Sequence, residues 1–242
     1  MRLVLKICGI VVAFVLLTVL TQVGGLVYLL AQVSYRRADQ KNRKPWTMFG
    51  MQTAWFLLLY VWVTWLVVPV LAKPLGRVPL PFKETKHLRP LNRLSWLLNR
   101  NYVTPELREA VYEVAQFMSK EHPGTVINYL DANFPFFNGF PLLPHLSHSD
   151  GKKLDLSFCY RTSPEERETN KAPSFIGYGI CEEPKEGEVN APEKCAQKSH
   201  WQYDALRWFY PQGNKANFVF DAVRTKSLIQ AFANNEAKIG RA

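Results

Sequence analysis

"ICGIVVAFVLLTVLTQVGGLVYLLAQVSY" (residues 7–35) contains no charged side chain, and neither does "PWTMFGMQTAWFLLLYVWVTWLVVPVLA" (45–72). Each run exceeds the roughly 20 apolar residues that carry a helix across a bilayer. Lys, Arg or Asp at the middle of such a helix costs about 2.5–3.5 kcal/mol, so an uninterrupted charge-free run is the mark of a membrane segment. We read them as two transmembrane helices, about 7–33 and 47–71, joined by the basic loop "SYRRADQKNRKPW". The first run is too long for the apolar core of a signal peptide, and no small-x-small cleavage site follows it. In the second, Trp46, Trp55, Trp62, Trp65 and Tyr60 offer side chains for an interfacial belt, with Trp62 expected to lie deep. Pro69 near its end is tolerated in a membrane helix.

The formal net charge is +10. Residues 1–73 carry a balance of +7, residues 74–103 one of +5, and residues 104–242 one of −2. The basic excess is therefore juxtamembrane, where it faces lipid headgroups. A nucleic-acid surface would need that charge on the folded domain, so the bilayer is the expected partner and nucleic acid is not. Orientation stays open: Arg36, Arg37, Lys41, Arg43 and Lys44 lie in the loop, but Lys73, Arg77, Lys83, Lys86 and Arg89 follow the second run as closely.

Beyond residues 1–73 we expect a juxtamembrane connector over 74–103, rich in Pro and basic residues, with a short helix or turn at 94–98. An α+β domain over 104–242, with a small, mainly antiparallel sheet, then follows. Its clearest element is the helix "TPELREAVYEVAQFMSK" (104–120). Thr104 caps, Pro105 takes the first helical position, and Leu107, Ala110, Val111, Val114, Phe117 and Met118 follow the helical period. "HPG" (122–124) ends it. Strands are expected at 125–130, at 153–161 ("KLDLSFCYR") and at 173–181 ("PSFIGYGIC"), and a third strand or short helix within 199–210. Asp221 is placed as the cap of a final helix that buries Leu228, Ile229 and Phe232.

Cys181 and Cys195 flank the polar stretch "EEPKEGEVNAPEK". A disulfide closing that loop suits a site outside the cytoplasm; two unpaired thiols are the alternative. The spacings fit no zinc-knuckle pattern.

Chemistry concentrates in "PLLPHLSHSDGKKLDLSFCY" (141–160), which holds two of the five histidines. Strand alternation places Asp155, Ser157 and Cys159 on one face and Leu154, Leu156 and Phe158 on the other. Asp155 then needs solvent, a histidine or a metal. His148 in the preceding turn is the nearest partner, and the two form either a structural pair or part of a metal site. "SDGKK" alone is also a good hairpin turn. His145 is a ligand, an orienting neighbour of the site or a turn residue, the last two being favoured, and Arg161 either orients a substrate carboxylate or pairs at the surface.

Ser147, His148, Gly151 and Asp155, with the His200–Trp201 pair downstream, resemble the zinc peptidases of the lysostaphin, D-Ala-D-Ala carboxypeptidase and hedgehog-like group. The resemblance implies zinc held by His148, Asp155 and His200, and hydrolysis of cell-wall (peptidoglycan) peptides by a domain on the periplasmic side of a bacterial inner membrane. It covers residues 104–235 in element order, and about a dozen positions specifically. The chain departs from the pattern at Lys153 and Leu154, which stand where a small residue is usual before the aspartate. The family's catalytic glutamate, three positions before the late histidine, is replaced by Gln197, which cannot act as a general base. Glu193 is a nearby carboxylate outside the pattern. A non-catalytic, membrane-anchored interaction module is therefore the competing expectation.

Overall fold

The computed structural model describes residues 1–36, 45–180, 184, 186–200 and 212–235. Its first charge-free run is two helices, α1 (Arg2–Thr21) and α2 (Gly24–Arg36). Gln22 between them takes a left-handed φ of 64°, and the Gly24 N–H is received by Thr21 Oγ1 at 2.8 Å. Gly25 lets α2 lie back along α1, because a Cβ there would overlap Phe14 and Thr18. Thirteen residues of α2 extend only about 20 Å, less than a bilayer core. One helix over 7–33 is thus corrected to a helix and a short returning helix.

Among the described residues, two helical stretches are long and apolar enough to cross a membrane, Leu3–Thr21 and Trp46–Leu75. The second contains α3 (Pro45–Trp62), a π-helical turn (Val63–Val67) and α4 (Val68–Ala72). Pro69 accounts for the widened turn: it has no N–H to offer, and its ring would press on the carbonyl four residues back. α2 runs antiparallel to α3, with Tyr28 edge-on to Phe56 at 6.0 Å and Trp55 Nε1 donating to Ser34 Oγ at 2.8 Å.

The 74–103 segment is part of the domain rather than a spacer. It supplies β1 (Val78–Pro79), β2 (Leu88–Pro90), α5 (Leu94–Leu97) and β3 (Tyr102–Val103). β1 pairs antiparallel with β3, and β2 pairs parallel with β4 (Ile127–Tyr129), Leu88 opposite Ile127. α6 (Pro105–Glu121) covers them. Thr104 Oγ1 receives the Leu107 N–H at 3.3 Å, and Leu107, Val111, Val114 and Met118 join Leu80, Leu88, Val103, Ile127 and Tyr129 in one core. Phe117 falls at the edge of that stripe and is exposed.

A second sheet holds β5 (Tyr160–Thr162) between β6 (Glu168–Thr169) and β7 (Phe218–Phe220), both antiparallel. α7 (Ala191–Gln197) stands apart, and α8 (Ala222–Ala233) closes the described chain. Asp221 caps α8 by receiving the Arg224 N–H at 3.1 Å. Leu228 is buried as expected, whereas Ile229 is 60% exposed. No strand forms over 173–180. Gly177 and Gly179 adopt positive φ (81° and 82°), so the segment turns, and Gly177 passes against Leu130 where a Cβ would overlap it. Most of 199–210 lies outside the described residues.

Two contacts fasten domain to helices. Tyr102 packs with Val23, Val27, Tyr60, Val68 and Ala72. The buried Asn99 donates from Nδ2 to Thr21 O (3.3 Å) and Tyr60 Oη (3.2 Å).

Candidate metal centre

β4 runs on into Leu130–Asn133, and 154–157 lies antiparallel beside it. Leu130 N–H donates to Asp155 O (2.8 Å), Asp155 N–H to Asp131 O (2.9 Å) and Ser157 N–H to Asn128 O (2.9 Å). Within the expected 153–161 strand only the Leu156–Tyr129 bridge and the start of β5 are regular. The expected faces also shift: Ser157 and Cys159 are buried, while Phe158 is 57% exposed.

Gly151 pins the preceding turn. Its φ is 81°, its N–H donates to Asn133 Oδ1 at 3.0 Å, and its carbonyl accepts from Thr104 N–H at 2.9 Å. A Cβ there would overlap the Arg77 guanidinium. The turn delivers His145 and His148 to one side, ring centroids 5.4 Å apart.

The two histidines meet Asp155. His148 Nε2 lies 3.2 Å from Asp155 Oδ1 and His145 Nδ1 3.3 Å from Oδ2, and one ligand atom from each residue falls within 4.8 Å of the other two. Tyr178 Oη donates to Asp155 Oδ2 at 2.6 Å. His148 Nδ1 lies 2.7 Å from Ala132 O. A carbonyl only accepts, so Nδ1 carries the proton and donates it there. Nε2 then faces a carboxylate, and two lone pairs cannot face each other without a cation between them, whether proton or metal. A ring nitrogen committed to a backbone carbonyl while the other points inward is the usual arrangement of a metal-binding histidine. His145 has the same logic: with Nδ1 toward Asp155, its Nε2 faces Asp131 Oδ2 at 4.0 Å.

The electrostatics agree. Burial alone would favour a neutral His148, but the Asp155 carboxylate outweighs it and raises the ring's pKa. Burial likewise works against ionised Asp155, yet bonds from His148 and Tyr178 hold its carboxyl below the ordinary value. Asp131 goes the other way, pushed up by burial despite Arg100 and His145 beside it. Tyr178 is pushed up by burial and by its bond to Asp155. The site is thus one ionised carboxylate, one carboxyl displaced toward neutrality, and two imidazoles. Two histidines and a carboxylate could hold a divalent transition metal, zinc among them, with a fourth position left for water.

Beside the cluster opens a cavity of about 310 Å³, lined by Leu94, Leu98, Leu130 and Ile176 on its apolar walls and by Arg100, Asp131, His145 and Tyr178 at its polar end.

The structure brings His148 and Asp155 together and adds His145 as the third member. His200 is not in this group; it is exposed just after α7, its N–H bonded to Cys195 O at 2.8 Å. Glu193 and Gln197 lie exposed on α7. Arg161 is held by Glu166 (2.8 Å) and approaches Asp221 (3.9 Å), so it serves the second sheet. Cys195 has a free thiol, and its expected partner Cys181 lies outside the described residues. Three members were not legible beforehand: Asp131, Tyr178 and Arg100. Asp131 ends an apolar strand, which is a signal for an inward-facing acid. Tyr178 and Arg100 arrive from distant segments with no local signature. Comparison of the chain with protein-family models, with curated proteins and with solved structures finds no match.

Proposed function

We propose that this chain is a membrane-anchored, zinc-dependent hydrolase that cuts amide bonds of cell-wall peptides outside the cytoplasmic membrane. The observation that carries the proposal is the convergence of His145 Nδ1, His148 Nε2 and the Asp155 carboxylate, with the opposite edge of His148 committed to Ala132 O. The resemblance of the His148–Gly151–Asp155 spacing to zinc peptidases supplies the substrate class. Zinc held there would polarise a carbonyl and lower the pKa of a bound water. Asp131, whose carboxyl is raised by burial, takes the proton-transfer role for which Gln197 is unsuited. A carboxyl displaced toward the working pH exchanges protons more effectively than an ordinary one. Arg100 Nη1, 3.4 Å from Asp131 Oδ2, orients it, and Tyr178 holds Asp155 in place.

The returning helix α2 supports the orientation. Because α2 reverses direction, Arg2 and Lys6 end on the same side as the loop that carries Arg36, Arg37, Lys41, Arg43 and Lys44. That side holds seven Lys and Arg against the six, Lys73, Arg77, Lys83, Lys86, Arg89 and Arg93, that follow the second stretch within about twenty residues, a narrow excess of the kind cytoplasmic loops carry. The domain is then external. In a Cys181→Ser background, a membrane-impermeant maleimide should label Cys195 in intact cells; labelling only after lysis reverses the orientation.

The decisive test of the hydrolase is metal analysis of the purified full-length chain. One zinc per chain, lost in His148→Ala, is expected. A folded, metal-free protein that takes up no zinc on addition would refute the hydrolase and leave the non-catalytic interaction module.

A further inference from the structure

The cavity beside the metal centre carries a statement about substrate class, which rests on the hydrolase reading for its catalytic meaning but not for its binding. Arg100 is only 9% exposed. It spends Nη1 on Asp131 at 3.4 Å, and its Nε has no hydrogen-bond partner among the described residues. The side chain also lines the cavity, and a carboxylate or phosphate is the natural complement of a guanidinium there. The rest of the lining is mainly apolar, with Leu94, Leu98, Leu130, Pro144 and Ile176 beside the small polar Asn92 and Ser95. A guanidinium in a mainly apolar cavity suits an amphiphile with an anionic end.

Position says where such a molecule comes from. The α5 wall is fastened to the membrane helices: Tyr60 Oη donates to Leu97 O at 2.7 Å, and Trp96 packs edge-on to Trp65 at 5.1 Å. Leu94 and Leu97 are each 43% exposed, and Trp62, Trp65, Leu66 and Val70 of the adjoining helix are exposed beside that level. Aromatic and aliphatic side chains exposed together around a membrane helix mark the bilayer surface. The cavity is thus built into the edge of the domain that meets lipid.

We propose that this cavity binds the anionic end of a membrane-borne amphiphile, its carboxylate or phosphate on Arg100 and its apolar portion against Leu94, Leu98 and Ile176, so that the site works on substrates drawn from the bilayer surface. At about 310 Å³ the cavity is at the small end for ligand sites, so it takes the head and the first part of a chain rather than a whole lipid.

The test uses the full chain in phosphatidylcholine nanodiscs, stripped of metal with chelator, titrated calorimetrically with N-octanoyl-glycine, octyl phosphate and the neutral N-octanoyl-glycinamide. We expect saturable one-to-one binding of at least one anionic probe, with the neutral amide at least about tenfold weaker. The relative affinity of the two anions tells carboxylate from phosphate. Arg100→Gln should lower the affinity at least about tenfold. Leu94→Asp, at a half-exposed position that does not threaten folding, should do so by charge repulsion while leaving zinc uptake intact. Equal binding of neutral and anionic probes, no saturable binding of either anion, or affinity unmoved by Leu94→Asp would overturn the proposal. Because metal is absent throughout, failure of zinc binding leaves this result standing, and failure here leaves the metal centre standing.

Discussion

Asp155→Asn separates a metal centre from a structural ion pair with nearly the same shape in both states. In the metal-free protein the change is mild. An asparagine placed as Asp155 keeps an oxygen toward Tyr178 Oη (2.6 Å) and His145 Nδ1 (3.3 Å). Its amide can donate to His148 Nε2, 3.2 Å away, which then stays neutral with its Nδ1–H still on Ala132 O. One charge-assisted contact becomes a neutral hydrogen bond, a loss of about 1 kcal/mol, or roughly 2–4 °C in Tm for a domain of this size. Zinc changes the comparison. At a free concentration of one hundred times Kd, binding stabilises the native state by about 2.7 kcal/mol, which is about 5–11 °C on the same scale. The amide is a poor replacement for a carboxylate ligand, so the variant should show little of that rise. The assay is thermal unfolding by intrinsic fluorescence of both proteins, with and without zinc. A wild type whose Tm does not move with zinc, or a variant that moves equally, refutes Asp155 as a ligand. A metal-free drop well beyond 4 °C would instead identify a structural ion pair.

Gly151→Ala forces a methyl onto Arg77 at a left-handed backbone position; about 1–3 kcal/mol of lost stability is expected, together with weakened zinc uptake, read by denaturant midpoint and metal titration. Arg224→Met removes a 2% exposed guanidinium that binds Asp221 (2.7 Å), Thr125 and the Tyr160 and Thr169 carbonyls. Losing this close partner, with only Arg161 left at 3.9 Å from Asp221, should cost about 3 kcal/mol. Burial disfavours ionised Asp221, but its bonds from Arg224 outweigh this and depress its pKa. Its contribution is therefore present above the ordinary carboxylate range and lost as pH falls below about 4; a pH–stability curve of the wild type should steepen there, and that of Arg224→Met should be flatter. Asn99→Ala withdraws the amide that bonds Thr21 O and Tyr60 Oη, so proteolysis between domain and helices should accelerate while zinc uptake by the domain persists.

The parts of the fold that were legible are those specified locally. α6 announced itself because its cap, its proline and its apolar stripe all lie within seventeen residues, and its core face follows at Leu107, Val111, Val114 and Met118. The reversal at Gln22 was hidden although Gly24 and Gly25 stood in view: a charge-free run shows an apolar segment, not how often the chain turns within it. Strand alternation misled at Phe158 and over 173–180, where short, irregular segments obey turn geometry rather than the pleat. At the site, His148 and Asp155 were legible because only six residues separate them. Asp131 joins them only through the pairing of 154–157 with β4, and Arg100 only because the presumed connector is woven into the core. The resemblance points to a third ligand far down the chain, at His200, whereas the structure favours His145, three residues before His148, among the alternatives open to it. A turn of that length can aim both rings at one point, which residue spacing alone does not reveal.

Residues 99–101 join the apolar helices and the candidate site through consecutive side chains. Asn99, at a left-handed φ of 58°, faces the helices and holds Thr21 and Tyr60. Arg100 faces the cavity and holds Asp131. Asn101 returns to the core, donating from Nδ2 to Leu80 O at 3.3 Å. The left-handed residue is what allows neighbours to point in such different directions, since a regular helix or strand would spread them over a full turn or an alternating face. Displacing the membrane helices by an ångström would therefore move the Arg100 backbone directly, with no flexible linker to absorb the shift. The proposed uptake of an amphiphile would use that rigidity, because it fixes the α5 wall of the cavity relative to the apolar helices.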